Sequence, residues 1–157
     1  MKRSLIAALA LCACGDTARP FAVANAPVDP STCPSGVQPT FSSIYENVLK
    51  PICTGCHQTS VAAAYGHLDL SLTPPGANYA QLVDVPAHDD AASNPPPGLL
   101  RVKPGDPDAS LLWIKLTLKS SQDPRYGSGM PQDRPGVLCQ QVTDTVRAWI
   151  QAGAPQD

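Results

Sequence analysis

A chain of 157 residues has room for one domain with a modest core and at most one cofactor-sized pocket, which excludes a large multidomain enzyme. Its 18 prolines and 11 glycines exclude long uninterrupted elements outside a few protected stretches, so short helices joined by loops are expected. With Lys2 and Arg3 set aside as part of an export segment, 9 of the 11 basic residues face 13 acidic ones, a balance that excludes a nucleic-acid-binding surface.

Residues 1–13 run from a basic start through an apolar stretch to small residues, the layout of a secretory signal and too short a run to remain across a bilayer. Leu11-Cys12-Ala13-Cys14 resembles a bacterial lipobox, in which a small residue before the cysteine admits the signal peptidase and the new N-terminal cysteine is acylated. The resemblance marks Cys14 for lipidation, with Cys12 departing from the usual pattern and plain cleavage as the alternative. It implies export to the periplasmic side of a bacterial membrane. Residues 14–39, rich in Pro, Ala, Ser and Thr and without helical or strand periodicity, read as a tether. Free, such a tether spans about 25–30 Å root-mean-square.

The pattern changes at residue 40, where a domain over 40–157 is expected to begin. Phe41, Ile44, Tyr45, Val48 and Leu49 recur at helical spacing on one face, with Thr40 or Ser42 as cap and Pro51 as the end or a kink. A second helix is expected from Asp106, an N-cap with Pro107 at the first helical position, to about Leu118. A third covers about Gln140 to Ala152, with Val142, Val146, Trp149 and Ile150 on one face and Gly153 as the stop. Pro-rich loops fill 84–98 and 119–136, and no strand series is evident.

The chemistry sits in Cys53-Thr54-Gly55-Cys56-His57, the Cys-x-x-Cys-His pattern of covalent c-type haem attachment. Two thiols at this spacing reach the two vinyl groups of one haem, and the adjacent histidine is delivered to the iron from the same turn. Two other uses of Cys-x-x-Cys compete: a thioredoxin-type dithiol, which follows a strand in a βαβ frame, and a zinc half-site, which needs a second set of ligands. The helical segment before Cys53 argues against the first, and the lack of a second Cys-x-x-Cys pair against the other.

A sixth iron ligand is sought among two methionines, and Met1 leaves with the signal. Met130 stands in Gly127-Ser128-Gly129-Met130-Pro131, a loop better suited to backbone approach than to core filling. His67 and His88 are the fallback ligands. Trp113, Trp149, Tyr45 and Tyr79 are core aromatics in the first place; one of them, or Arg101 or Lys103, is a candidate for a haem propionate. Cys33 and Cys139 remain as a pair suited to a disulfide in an oxidising compartment.

Taken in order, Phe41 and Ile44, CTGCH, GHLDL at 66–70, PGDPDASLLWIKL at 104–116, GMP at 129–131 and VRAWIQAGAP at 146–155 resemble the class I type of bacterial c cytochrome domain. The resemblance covers roughly residues 40–155. It implies an all-α fold wrapped on one covalent haem c, with first and last helices packed together. It also implies electron transfer between redox partner proteins without substrate chemistry. A haem peroxidase or sensor with a displaceable sixth ligand is the enzyme alternative, and a structural lipoprotein without haem the third.

Overall fold

The computed structural model describes residues 33–62, 65–88, 92, 94–120, 122–133 and 136–157. Five short α-helices appear among them: α1 (Phe41–Ile44), α2 (Lys50–Cys53), α3 (Gly76–Ala80), α4 (Leu111–Thr117) and α5 (Gln140–Gln151). Extended pairing among these residues is confined to isolated bridges, such as Val83 with Val102 and Leu100 with Ser110.

Thr40 caps α1 by accepting from the Ser43 backbone N–H. The chain then passes without a break through a π-helical turn, Tyr45–Leu49, into α2. The amide of Lys50 reaches back five residues to the Tyr45 carbonyl. Pro51 therefore does not end the helix at this point. It has no N–H to place, its ring crowds the carbonyl four residues back, and the wider π turn accommodates both facts within a continuous helical path. That path delivers Cys53 and the following residues from a buried face made of Phe41, Ile44, Tyr45, Val48 and Leu49.

The second expected helix is divided. Asp106 caps as expected, its carboxylate accepting from the Ala109 amide, but only a 3₁₀ turn, Pro107–Ala109, follows. Ser110 is extended, fully buried, and takes part in a cross-bridge: its Oγ accepts from the Lys103 amide at 2.8 Å and donates to the Asp106 carbonyl at 2.7 Å. The amides of Leu111 and Leu112 bond the carbonyls of Leu100 and Arg101, so α4 starts one turn late, fixed to the 100–102 segment. Segment 76–80, unassigned in the sequence, forms α3. Its Asn78 is fully buried and bonds both the amide and the carbonyl of Leu72.

Helix α5 ends as its sequence dictates. Gly153 adopts φ +94°, and the amides of Gly153 and Ala154 close the last turn onto Ile150 and Trp149. Val142, Val146, Trp149 and Ile150 face the core, where the Trp149 ring lies 5.9 Å from Phe41. Tyr79 meets Phe41 edge-on at 5.2 Å and donates its hydroxyl to the Ala154 carbonyl. The first and last helices are thereby joined through aromatic packing.

Residues 33–39 belong to the packed unit. Val37 rests against the core, the Gln38 amide donates to Ser43 Oγ at 2.9 Å, and Cys33 is disulfide-bonded to Cys139 with the α-carbons 6.0 Å apart. The expected signal and most of the tether, including Cys14, lie outside the described residues. The Cys33–Cys139 bridge spans 106 positions and restricts a long loop in the unfolded chain. Replacing both residues with Ser is expected to lower stability by ~2–5 kcal/mol in a denaturant titration. An unchanged midpoint would show that the bridge carries no stability.

Candidate functional site

The CTGCH segment forms the turn that closes α2. The amides of Cys56 and His57 both bond the Cys53 carbonyl, at 3.1 and 2.9 Å, so the three residues fold around one oxygen. The Leu70 amide in turn bonds the His57 carbonyl at 2.9 Å, fastening the turn to the GHLDL segment. Tyr45 Oη donates to the Leu70 carbonyl, tying the same segment to the first helical path.

His57 is the chemically distinctive residue. Its Nδ1 is buried and has no hydrogen-bond partner. Burial holds its pKa below the usual histidine value. The backbone of Leu68 and Tyr65 opposes this in part, while the positive charges of Lys115 and Arg101 reinforce it. The result is a neutral imidazole with an unspent ring nitrogen in a dry setting, the state in which histidine binds a metal.

Cys53 is a free thiol and only partly covered as a residue, yet enclosure of its sulfur pushes its pKa up to about 12. A thioredoxin-type dithiol needs a lowered thiol pKa, so this environment is the opposite of that chemistry. Cys56 is disulfide-bonded in this structure, and since Cys53 is free the two are not bonded to each other. Among the described residues no three His, Cys, Asp or Glu side chains gather around a common point, which leaves the zinc half-site without the rest of its ligands there.

Met130 is half-buried and rests against the hydrophobic core. Its loop is ordered by a tight turn in which Asp123 and Gly127 exchange both backbone hydrogen bonds and the Asp123 carboxylate accepts from the amides of Arg125 and Tyr126. Lys115, on α4, then holds the loop twice. Its carbonyl accepts from the Met130 amide at 2.8 Å, and its largely buried ammonium donates to the Ser128 carbonyl at 2.9 Å. Met130 and Cys53 both rest against the same hydrophobic core, and the Lys115 charge also acts on His57.

The remaining polar candidates are mostly committed elsewhere. Arg101 donates to the carbonyls of Gln81, Gly66 and His67, Lys103 to the Asp106 carboxylate, Tyr45 and Tyr79 to Leu70 and Ala154, and Trp149 to Pro155. Of this set Trp113 alone keeps a buried donor, Nε1, without a partner. The Arg147 guanidinium covers its ring at 4.6 Å. The fallback histidines are both exposed and turned toward each other, with ring centres 4.5 Å apart. A cleft of about 370 Å³ lies between residues 86–88, 95–96, 98–99, Leu111 and Arg125, and none of Cys53, His57 or Met130 lines it.

The donor set is of the chemical kinds that a covalently held haem would use: a histidine nitrogen, a thiol and a thioether. His57 Nδ1 and Trp113 Nε1 are buried without partners, Cys53 is a free thiol and Met130 is half-buried. Ile52, Leu68, Leu112 and Trp113 offer partly covered apolar surface against the core. Cys56 fits on condition that its disulfide is opened, since thioether formation uses that sulfur as a thiol.

The Cys53 environment is directly testable. At pH 8 a thiol with pKa about 12 is almost wholly protonated, so iodoacetamide should alkylate Cys53 in the folded, haem-free chain at least about tenfold more slowly than an ordinary thiol. Urea should restore the ordinary rate. Fast labelling of the native chain would contradict the enclosed thiol.

No protein-family model, curated protein or solved structure matches the chain.

Proposed function

We propose that the chain is a single-haem c-type cytochrome that carries one electron between redox partner proteins, exported and held at the periplasmic side of a bacterial membrane by a lipid on Cys14. The observation that carries this reading is the half-buried, neutral His57, whose Nδ1 is enclosed and unpartnered, one residue beyond the Cys53–Cys56 pair. The lipid attachment rests on the resemblance of Leu11-Cys12-Ala13-Cys14 to a lipobox; no described helix is long and apolar enough to cross a membrane.

When bound, the haem supplies an iron that changes by one electron. The chain's own contributions are separable. Cys53 and Cys56 would fix the group covalently, and the bonds of the Cys56 and His57 amides to the Cys53 carbonyl set the positions of the three residues relative to one another. His57, neutral and with Nδ1 unpartnered, would hold the iron through an imidazole nitrogen. Met130 would offer a neutral thioether, a soft ligand of the kind that favours the reduced state. Lys115 holds that loop from two sides, so the sulfur is presented by a braced segment. A haem held by both His57 and Met130 would leave no open position for small molecules, and on that ground electron transfer is favoured over peroxidase or sensor chemistry.

In a host with c-type maturation, Met130→Ala should keep the covalent haem, lower its reduction potential, abolish the sulfur-to-iron charge-transfer band and admit cyanide or carbon monoxide. The change of both Cys53 and Cys56 to Ala should remove all haem that survives denaturation. A Met130→Ala protein with unchanged band and potential would move the sixth ligand to another residue. Retention of denaturation-resistant haem by the double variant would overturn the attachment site.

A further inference from the structure

The chain contains three histidines, and only His57 belongs to the site above. The other two are brought together across 21 positions of sequence, their rings edge to face with centres 4.5 Å apart and planes at 65°. Nothing in the proposed electron-transfer chemistry calls for this contact.

The arrangement is held by backbone constraints on both sides. Gly66 and His67 both take positive φ, +69° and +51°, and for a histidine this is an uncommon conformation that needs support. Arg101 supplies it, donating from one terminal nitrogen to both the Gly66 carbonyl at 2.9 Å and the His67 carbonyl at 3.0 Å. The approach of the two loops is close: a Cβ on Gly66 would stand 2.6 Å from the His88 carbonyl oxygen. The His67 ring is therefore placed against His88 by the loop beneath it.

We propose that His67 and His88 form a binding site for a divalent transition-metal ion of the copper, nickel and zinc type, with water in the remaining positions. An imidazole nitrogen binds such ions at ~2.0–2.1 Å, which sets a ring centre about 3.2 Å from the metal. Two imidazoles bound about 90–110° apart then have ring centres ~4.5–5.2 Å apart, and the separation found here lies at the close end of that span. Both side chains are exposed, so an ion reaches them directly from solvent. Imidazole donors without thiolates favour these borderline ions over magnesium or calcium, which take oxygen. The Arg101 charge nearby is spent on three carbonyls and lies on the backbone side of His67.

The site does not depend on haem being present, and its test is separate. Titration calorimetry of the full chain with Ni²⁺ and Zn²⁺, ions that exchange no electrons with a haem, should show one bound equivalent. His67→Asn preserves a residue that tolerates positive φ, and His88→Gln removes the other imidazole. Each should weaken binding by about tenfold or more, since loss of a direct ligand should cost no less than loss of an outer-shell partner. Gly66→Ala keeps both imidazoles and should weaken binding as well, because its Cβ drives the two loops apart. Absence of binding to the wild type, or wild-type affinity in either histidine variant, overturns the site.

Discussion

The packing of Phe41 against Trp149 is the contact on which the remaining geometry depends, because it locks the first helical path to the last helix and each of those carries something else into place. From Phe41 the chain runs helically to Cys53 with no loop to absorb error, so the position of the CTGCH turn is inherited from the seating of α1. From Trp149 the chain turns at Gly153 and returns its final residues to the same corner. There the Ala154 carbonyl accepts from Tyr79, and the Asp157 carboxylate accepts from the Ser42 amide. At the other end of α5, Cys139 secures Cys33, so the chain entering the domain is tied to the helix that closes it.

A second framework, built from hydrogen bonds, positions the segments that packing leaves free. Arg101, Ser110 and Lys115 are polar and largely buried, and each acts on backbone atoms. Arg101 gathers three carbonyls, Ser110 joins residue 103 to the 3₁₀ turn, and Lys115 braces the loop of Met130. A chain with 18 prolines has few regular ladders to satisfy its loop carbonyls, and buried long side chains take over that task. The unsatisfied atoms then stand out. Among the described residues His57 Nδ1 and Trp113 Nε1 are buried without partners, the first of them at the CTGCH turn.

Much of the helical scaffold was legible in the sequence because its signals are local. The face from Phe41 to Leu49, the Asp106 cap and the Gly153 stop all act within a turn or two of the residues they govern. The missed features depend on distant partners. Nothing near Ser110 announces that its hydroxyl is claimed by residue 103, which is what divides the second helix. Pro51 reads as an end or a kink, and only the π turn before it shows how the helical path passes through. Asn78 gives α3 its place by bonding Leu72, a contact no periodicity encodes. In the site, the CTGCH spacing was plain, whereas the orphaned nitrogens, the raised Cys53 thiol, the double hold of Lys115 on the Met130 loop and the pairing of His67 with His88 required three dimensions.

The proposed function rests on one covalent event, addition of the Cys53 and Cys56 thiols to a single haem. Intact-mass measurement of the mature protein, made with c-type maturation machinery and combined with its visible and near-infrared spectrum, tests that event most directly. The account predicts a mass increased by one haem, retained after denaturation, and a low-spin spectrum with the sulfur-to-iron band of a methionine ligand. An unmodified mass with no haem absorption would contradict it.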